Sequence, residues 1–407
     1  MKRYGIFSLL LFFCVLAASP LQGAAFRSGI DVLEDSGCRE LQGKTVALVT
    51  NAAGLTSAGG SNYAVLLRNA IDLKFIMAPE HGFAVNVEAG KKTDGMLIGD
   101  GLRVYSLYGS SKKPDAALLK TVDIVLFDLQ DVGARCYTYI STMKLVMEAC
   151  MEADRAFMVL DRPNPISPLE PEGFMLDKGY ESFVGAVDVP FLHAMTVGEI
   201  AMLLKKNRFP KLDLRVVRME GYRRELFGDE LPGFVFVSPS PNIRNIETAI
   251  VYPATVMLEA TAVSEGRGTD TPFLQFGAPF IDSAGLLREV RASRLPGVEF
   301  FPVRFIPKSG KFRNEACSGL KLKVSDRTRF SPFATSAAVL LALQKLYPSS
   351  LGLMKDSGAF FDRLAGTPRF REMILEQVPL EVILEASRRD VQEFGRMHPA
   401  RYIYPEP

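Results

Sequence analysis

Six carboxylates stand where apolar runs give way to polar or glycine-rich sequence: Glu80, Asp128, Asp131, Asp161, Glu259 and Glu265. Two carboxyl groups are the usual equipment for cleaving a glycosidic bond, one protonated to help the leaving oxygen depart and one ionised. Burial beside apolar groups can keep the first of them protonated. A substrate with a 2-acetamido group can supply its own nucleophile, which relaxes the need for the second. Arg135, Arg162 and Arg267 lie in or beside the same stretches. A guanidinium fork suits a carboxylate on a substrate, and its plainer role is a surface or ion-paired arginine. His81 adjoins Glu80, and His193 precedes Ala194-Met195-Thr196. Neighbouring side chains on an extended segment point to opposite faces, so Glu80 and His81 act together only if a turn redirects one of them.

Other chemistries lack their motifs. There is no G-x-S-x-G elbow, no H-E-x-x-H helix and no Walker A loop, and the first strand is not followed by G-x-G-x-x-G. The chain has 3 His in 407 residues, so a His-rich metal site is ruled out; no metal and no organic cofactor is expected. Cys38, Cys136, Cys150 and Cys317 match no zinc spacing and are expected to be mostly free, buried thiols. A net charge of +2 gives no reason to propose nucleic acid or an acidic membrane as partner. Trp is absent, so Tyr and Phe must supply the stacking faces for any sugar.

The elements that would position these groups alternate. Strands are expected over 46–51, 73–77, 102–107, 123–127, 156–160 and 212–217, with helical spacing over 61–70, 114–120, 141–153 and 196–205. The last of these helices opens with the capping box Thr196 and Glu199. Strands separated by helices argue for a parallel sheet, in which ligands gather at the carboxyl ends of the strands. Glu80, Asp128 with Asp131, and Asp161 follow three such ends, which suggests one crevice. Residues 84–101 read as a long loop over those ends. After Ser238-Pro239-Ser240-Pro241-Asn242 the character shifts: short strands over 297–325, then helices from Pro332 onward. The fold class is therefore α/β, with a Rossmann-like N-terminal domain over 26–247 and a smaller α+β C-terminal domain over 248–407.

Residues 1–25 read as a signal peptide. Lys2 and Arg3 precede an apolar run too short to span a bilayer, and Gly23-Ala24-Ala25 could serve as the cleavage site. The expectation is an exported chain, periplasmic or secreted, with no membrane association after cleavage.

Several motifs, taken in order, resemble the NamZ family, the peptidoglycan exo-β-N-acetylmuramidases. They are Gly29-Ile30-Asp31-Val32-Leu33, Ala78-Pro79-Glu80-His81-Gly82-Phe83, Val104-Tyr105-Ser106-Leu107-Tyr108-Gly109 and Phe127-Asp128-Leu129-Gln130-Asp131-Val132-Gly133-Ala134-Arg135. Tyr137-Thr138-Tyr139, Leu160-Asp161-Arg162-Pro163-Asn164-Pro165, Pro239-Ser240-Pro241-Asn242 and Ser264-Glu265-Gly266-Arg267-Gly268-Thr269 complete the set. The resemblance implies an active cleft between the two domains. It implies release of N-acetylmuramic acid from the non-reducing end of peptidoglycan fragments. It places the catalytic residue at Glu80; apart from the resemblance, Asp128 or Asp131 is the candidate for second carboxylate or orienting group. His81, Arg135, Tyr137, Asp161, Arg162, Asn164, His193, Glu265 and Arg267 are the substrate-binding candidates. The chain departs from the family pattern where Ala84-Val85-Asn86 replaces an Arg-Gly step after Phe83, where Ala194 and Ala260 replace glycines, and where Arg244 replaces a proline. A muropeptide-binding protein without activity, or a hydrolase of a related amino sugar, are the alternatives on the same scaffold.

Overall fold

A computed structural model of the chain describes residues 25–99 and 101–405. The expected signal peptide lies outside the described residues apart from Ala25. The N-terminal half is built on a seven-stranded sheet of β1 (Thr45–Thr50), β2 (Asp72–Ala78), β3 (Met96–Ile98), β4 (Leu102–Ser106), β5 (Ile124–Asp128), β6 (Ala156–Leu160) and β7 (Leu214–Val217), in the order β3-β4-β2-β1-β5-β6-β7. All pairings are parallel except the edge pair β3 and β4. The strand order reverses between β1 and β5, and the crevice at such a switch point is where open α/β sheets bind ligands.

The central strands are apolar on both faces because both are covered. Ala47 and Val49 of β1 join one core cluster with Val125 and Phe127 of β5, whereas Val46 and Leu48 join the other with Ile124 and Leu126. The expected capping box is present, Thr196 accepting from the Glu199 amide and Glu199 from the Thr196 amide.

A helix over Ile246–Thr255, capped by Asn245, leads into the second half. There β8 (Gln275–Ala278), β9 (Val298–Phe305) and β10 (Cys317–Val324) form a separate antiparallel sheet in the order β8-β10-β9. The segment read as short strands over 297–325 is thus one long hairpin of two eight-residue strands. Helices follow from Pro332–Leu346 to Leu380–Met397. One apolar cluster runs without a break from the sheet of the first half into the helices of the second. Cys38, Cys136, Cys150 and Cys317 are buried free thiols. No helix among the described residues is long and apolar enough to cross a membrane.

Candidate active site

Pro79 ends β2, and the chain then folds back on itself. His81 has φ 72°, Gly82 φ 72° and Val85 φ 56°. Left-handed backbone of this kind breaks the alternation of a strand. The turn therefore redirects His81, and Glu80 and His81 line the same cavity of about 290 Å³. Val85, where the family pattern has glycine, keeps a glycine-like backbone, and Ala194 does the same at φ 52°.

Glu80 is 5 % exposed. Its Oε1 accepts from the Gly90 amide at 2.7 Å, and its Oε2 from the Thr138 hydroxyl at 2.6 Å. Each oxygen keeps a second lone pair, which is what a proton or a substrate hydroxyl requires. Tyr108 stands beside it; burial and the Glu80 charge push its phenol up to about 12. His81 Nδ1 bonds the Val87 carbonyl at 2.8 Å, so Nδ1 carries the proton and Nε2 is an acceptor. Burial pushes the His81 imidazole down, against the pull of Glu80. Thr138→Val keeps the shape of the side chain and removes one of the two bonds that fix Glu80. A loss of about 1 kcal/mol of positioning would lower kcat about fivefold to tenfold with KM little changed. An unchanged kcat would show that the Gly90 amide alone holds the carboxyl.

The opposite wall comes largely from the second half of the chain, joined by Tyr137 of the first. Tyr137, Tyr252 and Phe273 form an edge-to-face chain with centroids 6.1 and 4.8 Å apart. Arg267 lies over Phe273 at 4.9 Å. It is held by Glu259 through Nη2 at 2.5 Å and by Glu265 through Nε at 3.2 Å. Burial works against the Arg267 charge, but these two carboxylates hold its affinity for the proton above the ordinary value. Burial pushes Glu259 up, opposed by Arg267. Ser240, from the Pro-rich break between the halves, also lines the cavity. Tyr139 ties that break to the sheet: its hydroxyl donates to the Pro239 carbonyl and accepts from Asn51 at 3.0 Å, just past the end of β1.

The sequence candidates thus separate. Glu80, His81, Tyr137 and Arg267 line the cavity, and Glu265 lines the trough that adjoins it. Of the two roles expected for Asp128, second carboxylate or orienting group, the first is corrected. Its carboxylate is fully buried, clamped by Arg162 at 2.5 and 3.1 Å and by Asn62 at 2.7 Å, and does not line the cavity. Arg162 is spent on the same pair and on the Leu55 carbonyl. Asp131 sits behind the cavity wall. Its Oδ2 takes the Gly133 amide at 2.7 Å and lies 3.3 Å from His193 Nε2, while His193 Nδ1 accepts from the Met195 amide. A Cβ on Gly133, at φ 85°, would stand 2.6 Å from Asn164 Oδ1, so this turn requires glycine. Asn164 itself braces its own loop through Ile166 and Met195. Asp161 is consumed by Thr196, Gly198 and Tyr404, and burial pushes it up to about 6.

Arg135 is the clearest correction among the arginines. It is fully buried and donates to the carbonyls of Phe174, Val189 and Ala365, the last on the helix Ala359–Ala365 of the second half. Burial pushes its guanidinium down to about 10. It is a strut between the halves with no fork left for substrate. Arg135→Ala would leave three carbonyls without a donor at about 1–3 kcal/mol each, so a loss of at least about 3 kcal/mol of stability is expected. Chemical unfolding that places the variant within 0.5 kcal/mol of the parent, at about the usual spread of surface substitutions, would contradict this.

Sequence reasoning named Glu259 among the carboxylates without giving it a role, and passed over Tyr108, Thr138, Ser240, Tyr252, Phe273 and Phe360, all on the cavity wall. Tyr108, Thr138 and Ser240 lie within the family motifs at 104–109, 137–139 and 239–242, which is the signal in the sequence that points to them. No group of three or more His, Cys, Asp or Glu among the described residues could hold a metal ion.

Comparison with known proteins fits this geometry. Residues 46–247 match the sequence model of the N-terminal domain of exo-beta-N-acetylmuramidase NamZ, and residues 250–404 that of its C-terminal domain. The chain is 40% identical over 383 residues to the peptidoglycan beta-N-acetylmuramidase NamZ of Bacillus subtilis (strain 168), covering 93% of this chain and 91% of that one. Two crystal structures of DUF1343 family proteins from Bacteroides fragilis are similar throughout. One has TM-score 0.85 and 32% identity, covering 93% of this chain and 99% of the other. The second has TM-score 0.75 and 28% identity, covering 94% and 100%.

Proposed function

The chain belongs to the NamZ family of exo-beta-N-acetylmuramidases, and from that membership and the cavity at Glu80 we propose how it releases N-acetylmuramic acid from the non-reducing end of peptidoglycan fragments. The observation that carries the mechanism is a single cavity holding a doubly anchored carboxyl group, an aromatic wall and one arginine. Glu80 is the general acid. It gives its proton to the oxygen that links N-acetylmuramic acid to the next sugar, and the bond breaks toward an oxocarbenium-like centre. Arg267 pairs with the lactyl carboxylate, which distinguishes muramic acid from glucosamine. The aromatic chain from Tyr137 to Phe273 offers the apolar faces on which a sugar ring stacks. The acetamido oxygen of the substrate bonds to the anomeric carbon as the link breaks, and water then opens the ring so formed, returning a proton to Glu80 and releasing N-acetylmuramic acid. Glu259, the other carboxylate on the wall, is occupied by Arg267.

Incubating the purified protein with a chromogenic β-N-acetylmuramide and, separately, with the matching β-N-acetylglucosaminide tests this reading. Fast release from the muramide alone supports it; equal rates on both, or none on either, would defeat it. The basic, then apolar, first residues support action outside the cytoplasm. N-terminal sequencing should find the mature chain starting between residues 19 and 26, and a cytosolic chain with residues 2–15 intact would refute export.

A further inference from the structure

The cavity does not end at its mouth. A trough of about 750 Å³ continues from it, sharing Ala89, Glu259, Arg267 and Phe360 on its wall. An enzyme that removes a terminal residue holds that residue in the closed end, and the remainder of the glycan must lie where the cavity opens. The trough is the space that meets this requirement.

Its cations are of two kinds. Arg267, held by Glu259 and Glu265, is the arginine assigned above to the terminal lactyl carboxylate, and Lys311 is paired with Glu265 at 3.2 Å and with the carbonyls of Leu258 and Val263 at 2.7 and 2.9 Å. Arg244 differs. Its Nη1 donates to the Asp270 carbonyl at 3.0 Å and its Nε to the Pro241 carbonyl at 3.4 Å. Both partners are neutral carbonyl oxygens, and Nη2 makes no hydrogen bond among the described residues. The guanidinium is therefore steadied without being neutralised, with one edge open. Lys308 stands on the same trough, its amide bonded to the Gly268 carbonyl at 2.8 Å. A Cβ on Gly268 would stand 2.3 Å from the Ser309 carbonyl oxygen, so this close approach of the two loops is fixed. The carboxylates of Glu88 and Asp270 also line the trough, so it is not a general anion trap. Lys91 and Lys308 also line it with no ion pair among the described residues, and Arg244 is the unneutralised cation that hydrogen bonds hold at a defined place.

Peptidoglycan glycan alternates N-acetylglucosamine and N-acetylmuramic acid. In glycan freed of its stem peptides, the leaving group starts with a neutral sugar, and the residue after it carries a lactyl carboxylate. Resting on the activity proposed above, we infer that the trough is a leaving-group site and that Arg244 binds the carboxylate of this second muramyl residue, so that longer glycans are held more tightly than a disaccharide. Arg244 is exposed, and an exposed charge pair whose guanidinium is already steadied supports about a threefold to fivefold gain in affinity.

The test uses calorimetric titration in a Glu80→Gln background, where ligands bind without being consumed. The ligands are the MurNAc-GlcNAc disaccharide, the corresponding tetrasaccharide, and the tetrasaccharide with its inner lactyl carboxyl converted to an amide. The acid tetrasaccharide should bind about threefold to fivefold more tightly than the disaccharide, and the amide should lose most of that gain. Adding Arg244→Ala should bring the tetrasaccharide-to-disaccharide ratio close to one, and Arg244→Lys should restore part of it. The inference is overturned if the ratio is the same with and without Arg244, if the amide binds as tightly as the acid, or if the tetrasaccharide does not bind. Release of N-acetylmuramic acid from the disaccharide by the parent protein reads the underlying activity separately.

Discussion

Glu80→Gln should lower kcat on the MurNAc-GlcNAc disaccharide by about 10²–10⁴, the usual worth of a positioned acid. The amide keeps the size of the side chain and can still accept from the Gly90 amide or the Thr138 hydroxyl. What it lacks is the acidic proton for the departing oxygen. The fold and the affinity for N-acetylmuramic acid should survive, so the loss falls on kcat and not on KM. It should shrink for a nitrophenyl muramide, because nitrophenolate departs with little help from an acid. A variant that turns over the disaccharide at the parent rate removes Glu80 from the mechanism. A variant equally impaired on both leaving groups assigns it a role other than proton donation.

The second large effect is expected at Arg267. Of the three arginines that the sequence offered for the lactyl carboxylate, it alone lines the cavity; Arg135 and Arg162 are committed to carbonyls and to Asp128. Losing a buried, hydrogen-bonded charge pair costs on the order of 2–5 kcal/mol. Arg267→Ala should therefore cut kcat/KM on the muramide by at least about thirtyfold. It also leaves Glu259 and Glu265 without their shared cation, so some general disturbance of the wall is expected. The ratio of muramide to glucosaminide turnover separates the two effects. General disturbance lowers both rates together, whereas loss of recognition lowers the muramide rate alone. A ratio unchanged from the parent would place carboxylate recognition elsewhere.

The parallel sheet was legible because short apolar runs such as 73–77 and 123–127 are buried on both faces and end in turn residues. Glu80 was legible for the same reason: it follows one of those strands. The error at Asp128, Arg135 and Arg162 has one cause. A polar group just past a strand end can face the crevice or turn back to brace the loops that form it, and sequence spacing does not separate the two. Asp128 with Arg162, and Arg135 with three carbonyls, took the second course. The far wall was less legible still. Glu259, Phe273 and Phe360 reach the cavity only because the second half folds against the first, and nothing local to those residues records that approach. His81 was half legible: alternation sets it opposite Glu80, and only a left-handed turn brings it round.

The most direct measurement of the account is the product released over time from glycan oligomers whose non-reducing end is either N-acetylmuramic acid or N-acetylglucosamine. The account predicts free N-acetylmuramic acid as the sole early product from the first, and no product from the second. Internal fragments from either oligomer, or free N-acetylglucosamine from the second, would contradict it.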